Sequence, residues 1–266
     1  MRSSFIHIRT NNLRFIILSK NKITLKDFSG KEIQRAPIKI QWTVTQAKKG
    51  GYPHFMIKEI FEQPEILSAI IRERVQHSKI GFEEIGILDD QFKKINRIVI
   101  IACGTAYHAG LVGKYILEEL THLPVWVDTS SEFRYRDPRV SAYDLVIAIS
   151  QSGETADTLA GLREAKSKHA LTLAICNVLG STLSREADGV IYTHAGPEMA
   201  VASTKAYTAQ LAALYLFALY LSDRLAILPL EKRQAYLKEL FSIPSLMQKF
   251  LEDYKKNENQ WANKAR

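Results

Sequence analysis

Five short, almost wholly apolar runs that alternate with segments of helical periodicity constrain this chain more than any other feature. They are Arg97-Ile98-Val99-Ile100-Ile101-Ala102, Pro124-Val125-Trp126-Val127, Leu145 to Ile149, Leu171-Thr172-Leu173-Ala174-Ile175-Cys176 and Val190-Ile191-Tyr192-Thr193. A half-exposed strand alternates apolar and polar residues, whereas runs this apolar are buried on both faces. With helices between them, as from Ala106 to Leu120, right-handed crossovers predict a parallel sheet between two helix layers. The expected fold class is therefore α/β, a doubly wound five-stranded parallel sheet of the flavodoxin-like kind. Ligands of such sheets bind beyond the carboxyl ends of the strands where the strand order reverses, which here falls between the first and third runs.

Those two runs end in Cys103-Gly104-Thr105 and in Ser150-Gln151-Ser152-Gly153-Glu154-Thr155. Ser150, Gln151, Ser152 and Thr155 crowd side-chain donors into one loop, ahead of a helical pattern of Ala156, Leu159, Leu162 and Ala165. A loop of donors at a helix start, where the helix dipole is positive, suits an anion such as phosphate. Ser and Thr are also good N-caps, each worth about 1 kcal/mol, but that accounts for one hydroxyl and not for the set. The loop has no P-loop lysine, which points to a monophosphate rather than a nucleoside triphosphate. A further loop, Ala195 to Lys205, faces the same sheet edge before a long helix to about Leu225. Ser203 and Thr204 in it are second-tier ligand candidates. Lys205 either neutralises a phosphate or points at solvent.

The 266 residues suffice for one sizeable α/β domain with an appendage or for two modest domains. The apolar fraction of 46 % and charged fraction of 24 % are those of a globular protein with a real core, and the net charge of +8 reads as a basic surface without a nucleic-acid partner. Cys103 and Cys176 end apolar runs and form no metal-ligand cluster, so neither a metal nor a disulfide is expected. No run reaches transmembrane length, and a cytoplasmic protein is expected. Phe15 to Leu18 and Lys22 to Phe28 read as short strands, too few to bury a core alone, with a linker over Thr43 to Tyr52. Phe55, Ile60, Ile66, Ile70 and Ile71 mark a packing helix that Pro64 should kink or restart. Residues 230 to 266 read as a charged helical tail in which Pro244 begins a second helix.

Several of these stretches carry a resemblance. Cys103-Gly104-Thr105, Ser150 to Leu159, Ala174-Ile175-Cys176-Asn177, Val201-Ala202-Ser203-Thr204-Lys205, and Lys58-Glu59-Ile60 with Glu62-Gln63-Pro64 closely resemble the glutamine–fructose-6-phosphate aminotransferase (isomerising) family. The likeness to these glucosamine-6-phosphate synthases covers nearly the whole chain. It implies a sugar isomerase (SIS) domain over 95–225, a remnant of glutaminase-domain strands and linker over 1–48, a helical linker over 49–94 and a helical tail over 226–266. In the family a glutaminase domain with an N-terminal cysteine supplies ammonia. Two SIS domains then turn fructose 6-phosphate into glucosamine 6-phosphate for UDP-N-acetylglucosamine biosynthesis.

The resemblance implies that Ser150, Gln151, Ser152 and Thr155 hold the sugar phosphate, that Thr105 meets the sugar, and that Val201 and Ser203 line the site. Ala106 stands where the family usually has serine, a lost hydroxyl costing about 1.5–3 kcal/mol of binding if nothing compensates. Arg2 stands where the cysteine nucleophile would be, and the family's catalytic glutamate, histidine and lysine belong to a second SIS domain and tail with no match here. No catalytic residue is therefore assigned; Glu154 and His108 are not substitutes. The implied partners are fructose 6-phosphate or glucosamine 6-phosphate and a second copy or a chain carrying the other domains, with no cofactor and no membrane. A stand-alone SIS module that senses a sugar phosphate is the alternative, against which the β-like residues 1–50 weigh, since such a sensor would carry a DNA-binding or other output domain.

Overall fold

The computed structural model of the chain describes residues 6–7, 15–20, 22–34, 38–39 and 48–257. The predicted linker lies partly outside them, as do Arg2 and the last nine residues. The chain divides into two compact units, residues 1–43 and 44–266. The first holds β1 (Ile6–His7), β2 (Phe15–Leu18), β3 (Ile23–Lys26), β4 (Glu32–Ile33) and β5 (Ile38–Lys39); β2, β3 and β4 form an antiparallel sheet, and β1 pairs with β5. Between β3 and β4 the Asp27 carboxylate accepts hydrogen bonds from the Ser29 and Lys31 N–H groups and closes the turn.

The second unit begins with α1 (Phe55–Arg74), a small hairpin of β6 (Val75–Gln76) and β7 (Lys79–Ile80), and α2 (Asp89–Phe92). Strand and helix then alternate: β8 (Arg97–Ala102), α3 (Thr105–Thr121), β9 (Val125–Thr129), α4 (Ser130–Tyr135), β10 (Asp144–Ser150), α5 (Ala156–Ser167), β11 (Leu171–Cys176), α6 (Thr182–Glu186), β12 (Gly189–Tyr192), α7 (Lys205–Arg224) and α8 (Leu230–Lys256). The strands form one parallel sheet in the order β12-β11-β10-β8-β9, the doubly wound sheet expected from the apolar runs.

Every residue of β10 is buried, and its side chains alternate between two apolar clusters. Leu145, Ile147 and Ile149 join α1, α3, α7 and α8 on one face. Val146 and Ala148 join Phe133, Leu159, Leu162 and Leu183, which come from α4, α5 and α6, on the other. The period-2 geometry of a strand thus sends apolar residues both ways, which is why these runs carry no polar alternation. Among the described residues no helix is long and apolar enough to cross a membrane.

Neither proline begins a new helix, contrary to the restart expected at Pro244 and to one of the two outcomes expected at Pro64. α1 runs unbroken through Pro64, and α8 through Pro244. At Pro64 the reason is visible. A proline has no N–H for the carbonyl four residues back, here that of Ile60, and the Gln63 side-chain amide donates to that oxygen at 2.9 Å instead.

Carboxylates fasten β12 to its neighbours. Asp188 accepts from Thr172 N (2.9 Å), Thr172 Oγ1 (2.7 Å) and Lys166 Nζ (2.8 Å). Glu84 takes the Arg74 guanidinium of α1 and the Tyr192 N–H, while Arg74 also donates to the Tyr192 carbonyl. Burial pushes both carboxyls up, but the hydrogen bonds and charges of Lys166 and Thr172, and of Arg74, outweigh it and leave both below the ordinary carboxylate range. A carboxyl depressed in the folded state adds stability above its unfolded pKa and loses it as pH falls through the folded pKa. Thermal stability should therefore decline as pH drops below the ordinary carboxylate range. In Asp188→Asn that acid limb should be shallower, which melting curves taken from neutral pH down into the acid range would show.

Candidate functional site

The crevice is set by topology. β8 and β10 are neighbours in the sheet, with Ala102 opposite Ile149 at their carboxyl ends. The helix that leaves β8 packs into the larger cluster through Ala109, Leu117 and Leu120, and the one that leaves β10 packs into the smaller through Leu159 and Leu162. The chain therefore departs to opposite faces at adjacent strand ends and opens a cleft between α3 and α5.

Both helix starts at this cleft lack a side-chain cap. Gly104 precedes α3 at φ +60°, and Thr155 precedes α5; neither contributes a capping hydrogen bond, although Thr is a favoured capping residue. The first N–H groups of a helix have no partner within it, so uncapped starts present donors and a positive dipole end. The hydroxyls of the loop are used otherwise. Ser150 is buried, accepts from Gly153 N at 3.1 Å and lies 2.9 Å from Thr155 Oγ1, so it shapes the loop from beneath. Ser152, half-buried, accepts from Glu154 N at 3.1 Å, a local turn that leaves its O–H able to donate outward. Glu154 accepts from Thr182 N at 2.7 Å and so ties the loop to the start of α6.

A second carboxylate, beside that of Glu154, stands at this end of the cleft. Asp157, in the first turn of α5, is engaged by Arg134 of α4 at 2.7 Å. The hydrogen bond to Asp157 holds the guanidinium above its usual pKa, and the pair is locally neutral.

The third wall comes from the chain between β12 and α7. α7 runs beside α3 on the same face: a Cβ on Gly113 would lie 2.9 Å from Leu214 Cδ1. Gly113 is nine residues into α3 and Leu214 ten into α7, so both helices begin about 12–14 Å back from this contact, at the same edge. The residues before α7 therefore lie at the same edge of the sheet as Gly104 and Thr105. Asn177, at the end of β11, holds the start of this segment: its amide accepts from Ala195 N (2.7 Å) and donates to Gly196 O (2.7 Å), and its own N–H donates to Gln151 O (3.1 Å). One residue so joins the 150–155 loop to the 193–197 segment.

The remainder of the segment is held by glutamates. Glu59, fully buried on α1, accepts from Met199 N at 2.6 Å and from Ala200 N at 3.3 Å. Glu198 accepts from Thr204 N (2.9 Å) and Ala206 N (3.1 Å) and so caps α7 from upstream. Lys205 corrects the sequence reading. It neither faces solvent nor stands free for a phosphate: it is 2 % exposed, and its Nζ lies 2.9 Å from Glu62 Oε2, while Lys58 Nζ takes Glu62 Oε1 at 2.8 Å. α1 is likewise more than a packing helix, because its polar residues Glu59, Glu62 and Gln63 grip this segment and the start of α7, with Lys58 paired to Glu62 on the same helix. Apolar periodicity could not reveal that face; the buried polar residues interleaved with the stripe were the available signal.

Of the residues singled out from sequence, Thr105 is exposed at the first position of α3, Gln151, Ser152 and Thr155 are half-buried on the α5 loop, and Ser203 is half-buried before α7. Val201 is fully exposed at the tip of its segment. Ala106 is buried in the larger apolar cluster. Sequence reading passed over Asn177, Glu59 and Arg134 as builders of the site, since each acts through a partner distant in the chain.

Known proteins resemble this chain in sequence and in fold. Residues 91–220 match the family described as the SIS domain. The chain is 51 % identical over 239 residues to a glutamine–fructose-6-phosphate aminotransferase (isomerising) of Clostridium tetani, covering 90 % of this chain and 39 % of that protein. It is 48 % identical over 235 residues to an enzyme of the same name from Thermus thermophilus, covering 88 % of this chain and 39 % of that protein. Among solved structures, the C-terminal domain of the glucosamine-fructose-6-phosphate aminotransferase of Francisella tularensis superposes with a TM-score of 0.72 at 42 % identity, over 75 % of this chain and 56 % of that one. The chain therefore carries an SIS domain and belongs to the glutamine–fructose-6-phosphate aminotransferase family, spanning about two-fifths of the length of the curated relatives it matches.

Proposed function

We propose that this chain binds the phosphate end of fructose 6-phosphate as the ketose-phosphate-binding part of a glutamine–fructose-6-phosphate aminotransferase, and that alone it completes neither half-reaction. The observation that carries this reading is the pair of uncapped helix starts meeting at one cleft, with an outward-donating Ser152 between them. Gln151, Ser152, Thr155 and the first N–H groups of α5 hold the phosphate, with Ser150 setting the loop beneath them. Thr105 meets the sugar, and Val201 and Ser203 close over its far side. Residues 1–48 are the strands that end a glutaminase domain, 49–94 the helical connection, 95–225 the SIS domain and 226–266 a helical tail. The glutaminase cysteine and the acid–base and imine-forming groups come from outside these residues, so a chain or domain that carries them is the natural partner. The identity to enzymes of that name over nine-tenths of the chain supports the choice of sugar phosphate.

Isothermal titration of the chain with fructose 6-phosphate should show binding that inorganic phosphate competes for. Ser152→Ala should lower the affinity by about 1.5–3 kcal/mol, tenfold or more, because a hydrogen bond to a charged group is lost. No heat with fructose 6-phosphate or glucosamine 6-phosphate would remove the assignment. Formation of glucosamine 6-phosphate from glutamine by the purified chain would show that catalytic groups lie within it.

A further inference from the structure

The two sides of the cleft are held largely by different contacts, with Asn177 joining them at the 193–197 end. The α5 side is held by Ser150 to Gly153 and Thr155, by Ser152 to Glu154, and from α6 through Thr182 to Glu154. The α7 side is held from α1, far earlier in the sequence, through Glu59 to Met199 and Ala200 and through Glu62 to Lys205.

The chemistry of the α1 contacts is unusual for mere packing. Two carboxylates and two ammonium groups stand at one helix–helix contact, Glu59 fully buried and Lys58 and Lys205 6 % and 2 % exposed. Removing such charges from water costs several kcal/mol per ion, and apolar residues of similar volume commonly stabilise as well or better. Lys205 also stands at the first position of α7, where the helix dipole disfavours a cation. What an apolar residue could not do is accept hydrogen bonds from two successive backbone N–H groups of a segment that lacks regular structure. Glu59 does this, and it thereby fixes the backbone just before Val201 and Ser203.

We infer that Glu59 and Glu62 are positioning residues for the sugar end of the site. Through Met199, Ala200 and Lys205 they fix the 199–204 segment at the sugar end, while the phosphate end is formed by the α5 loop, which is held by its own contacts and by Thr182 and Asn177. This rests on the reading that the cleft binds fructose 6-phosphate. It assigns α1 a part in distinguishing a sugar phosphate from phosphate alone, with neither glutamate touching the ligand.

The test uses the full chain with Glu59→Gln and Glu62→Gln, both of nearly unchanged volume. Each is titrated well below its melting temperature with fructose 6-phosphate and, separately, with inorganic phosphate. Gln at 59 sets an NH2 group against a backbone N–H that a carboxylate oxygen had accepted, so the segment should shift. Fructose 6-phosphate affinity should then fall about tenfold while phosphate affinity stays within about twofold. Amide exchange at Met199 and Ala200 should quicken in Glu59→Gln. A merely structural role would lower the melting temperature and leave the ratio of the two affinities unchanged, which overturns the inference. So does a parallel loss of both ligands. Should Glu59→Gln not fold, Glu62→Gln decides by the same ratio, since Glu62 keeps its Lys58 contact through a side-chain oxygen. If the unaltered chain binds phosphate but not fructose 6-phosphate, the binding reading falls and the inference with it; if it binds both and neither variant shifts the ratio, the inference alone falls.

Discussion

Gly153→Ala is expected to lose about 2–5 kcal/mol of stability and to abolish phosphate binding at temperatures where the rest of the sheet stays folded. Gly153 sits at φ +64°, a left-handed conformation that costs an L-residue about 1–2 kcal/mol. The added Cβ would lie 2.1 Å from Ser181 Oγ and 2.5 Å from Ser181 Cβ, well inside contact distance. Ser181 cannot swing away freely, because it is fully buried and its hydroxyl accepts from Ser184 N at the start of α6. Overpacking of this kind costs about 1–3 kcal/mol more. The fall in melting temperature should be about 10 °C for a domain of this size. The double variant Gly153→Ala with Ser181→Gly should recover the steric part and leave the backbone part, so a full recovery would show that conformation at residue 153 does not matter. The loop must shift to admit the methyl group, and with it the N–H of Gly153 that Ser150 accepts, so binding should fail before folding does.

Lys205→Ala should cost about 3–5 kcal/mol, because it both removes one partner of an ion pair with a buried ammonium group and leaves a cavity where the stem packed. The ammonium group is nearly inaccessible, and the partner Glu62 would be left on a helix contact with only Lys58 opposite. Lys205→Met keeps the volume of the stem and should cost distinctly less, because Glu62 retains Lys58 at 2.8 Å and no cavity opens. Chemical denaturation of the two variants side by side separates charge from packing. Equal losses would mean that the ion pair, rather than the space the side chain fills, carries the whole effect. A surface lysine would show neither loss, which makes this pair of variants a direct check on where Lys205 lies.

The behaviour of Lys205 illustrates how far sequence carried the reading. The three central strands were legible because they are buried on both faces, and a run such as Ile98 to Ala102 has little choice but a central position in a parallel sheet; the edge strands depart from that expectation, β9 leaving Trp126 half-exposed and β12 alternating buried with partly exposed residues. The cleft was legible for a related reason: right-handed crossovers place the reversal point between β8 and β10, and the donor-rich loop ends one of those strands. Pro64 and Pro244 do not restart their helices; at Pro64 the freed carbonyl of Ile60 finds another donor in the Gln63 side chain.

What the sequence determined unaided was the order of strands and helices, and hence which loops share the carboxyl edge, because those follow from local apolar period and chain handedness. Which hydroxyls face outward and which are spent inside the loop was decided only by the tertiary structure, where Ser150 turns under Gly153 and Ser152 does not. The same holds for the third wall. Glu59 lies far from Met199 in the chain and Glu62 far from Lys205, and no local rule couples a glutamate on one helix to the backbone ahead of another. Their placement is a property of α1 and α7 packed together, since a buried charge is tolerable only where the fold brings it a partner.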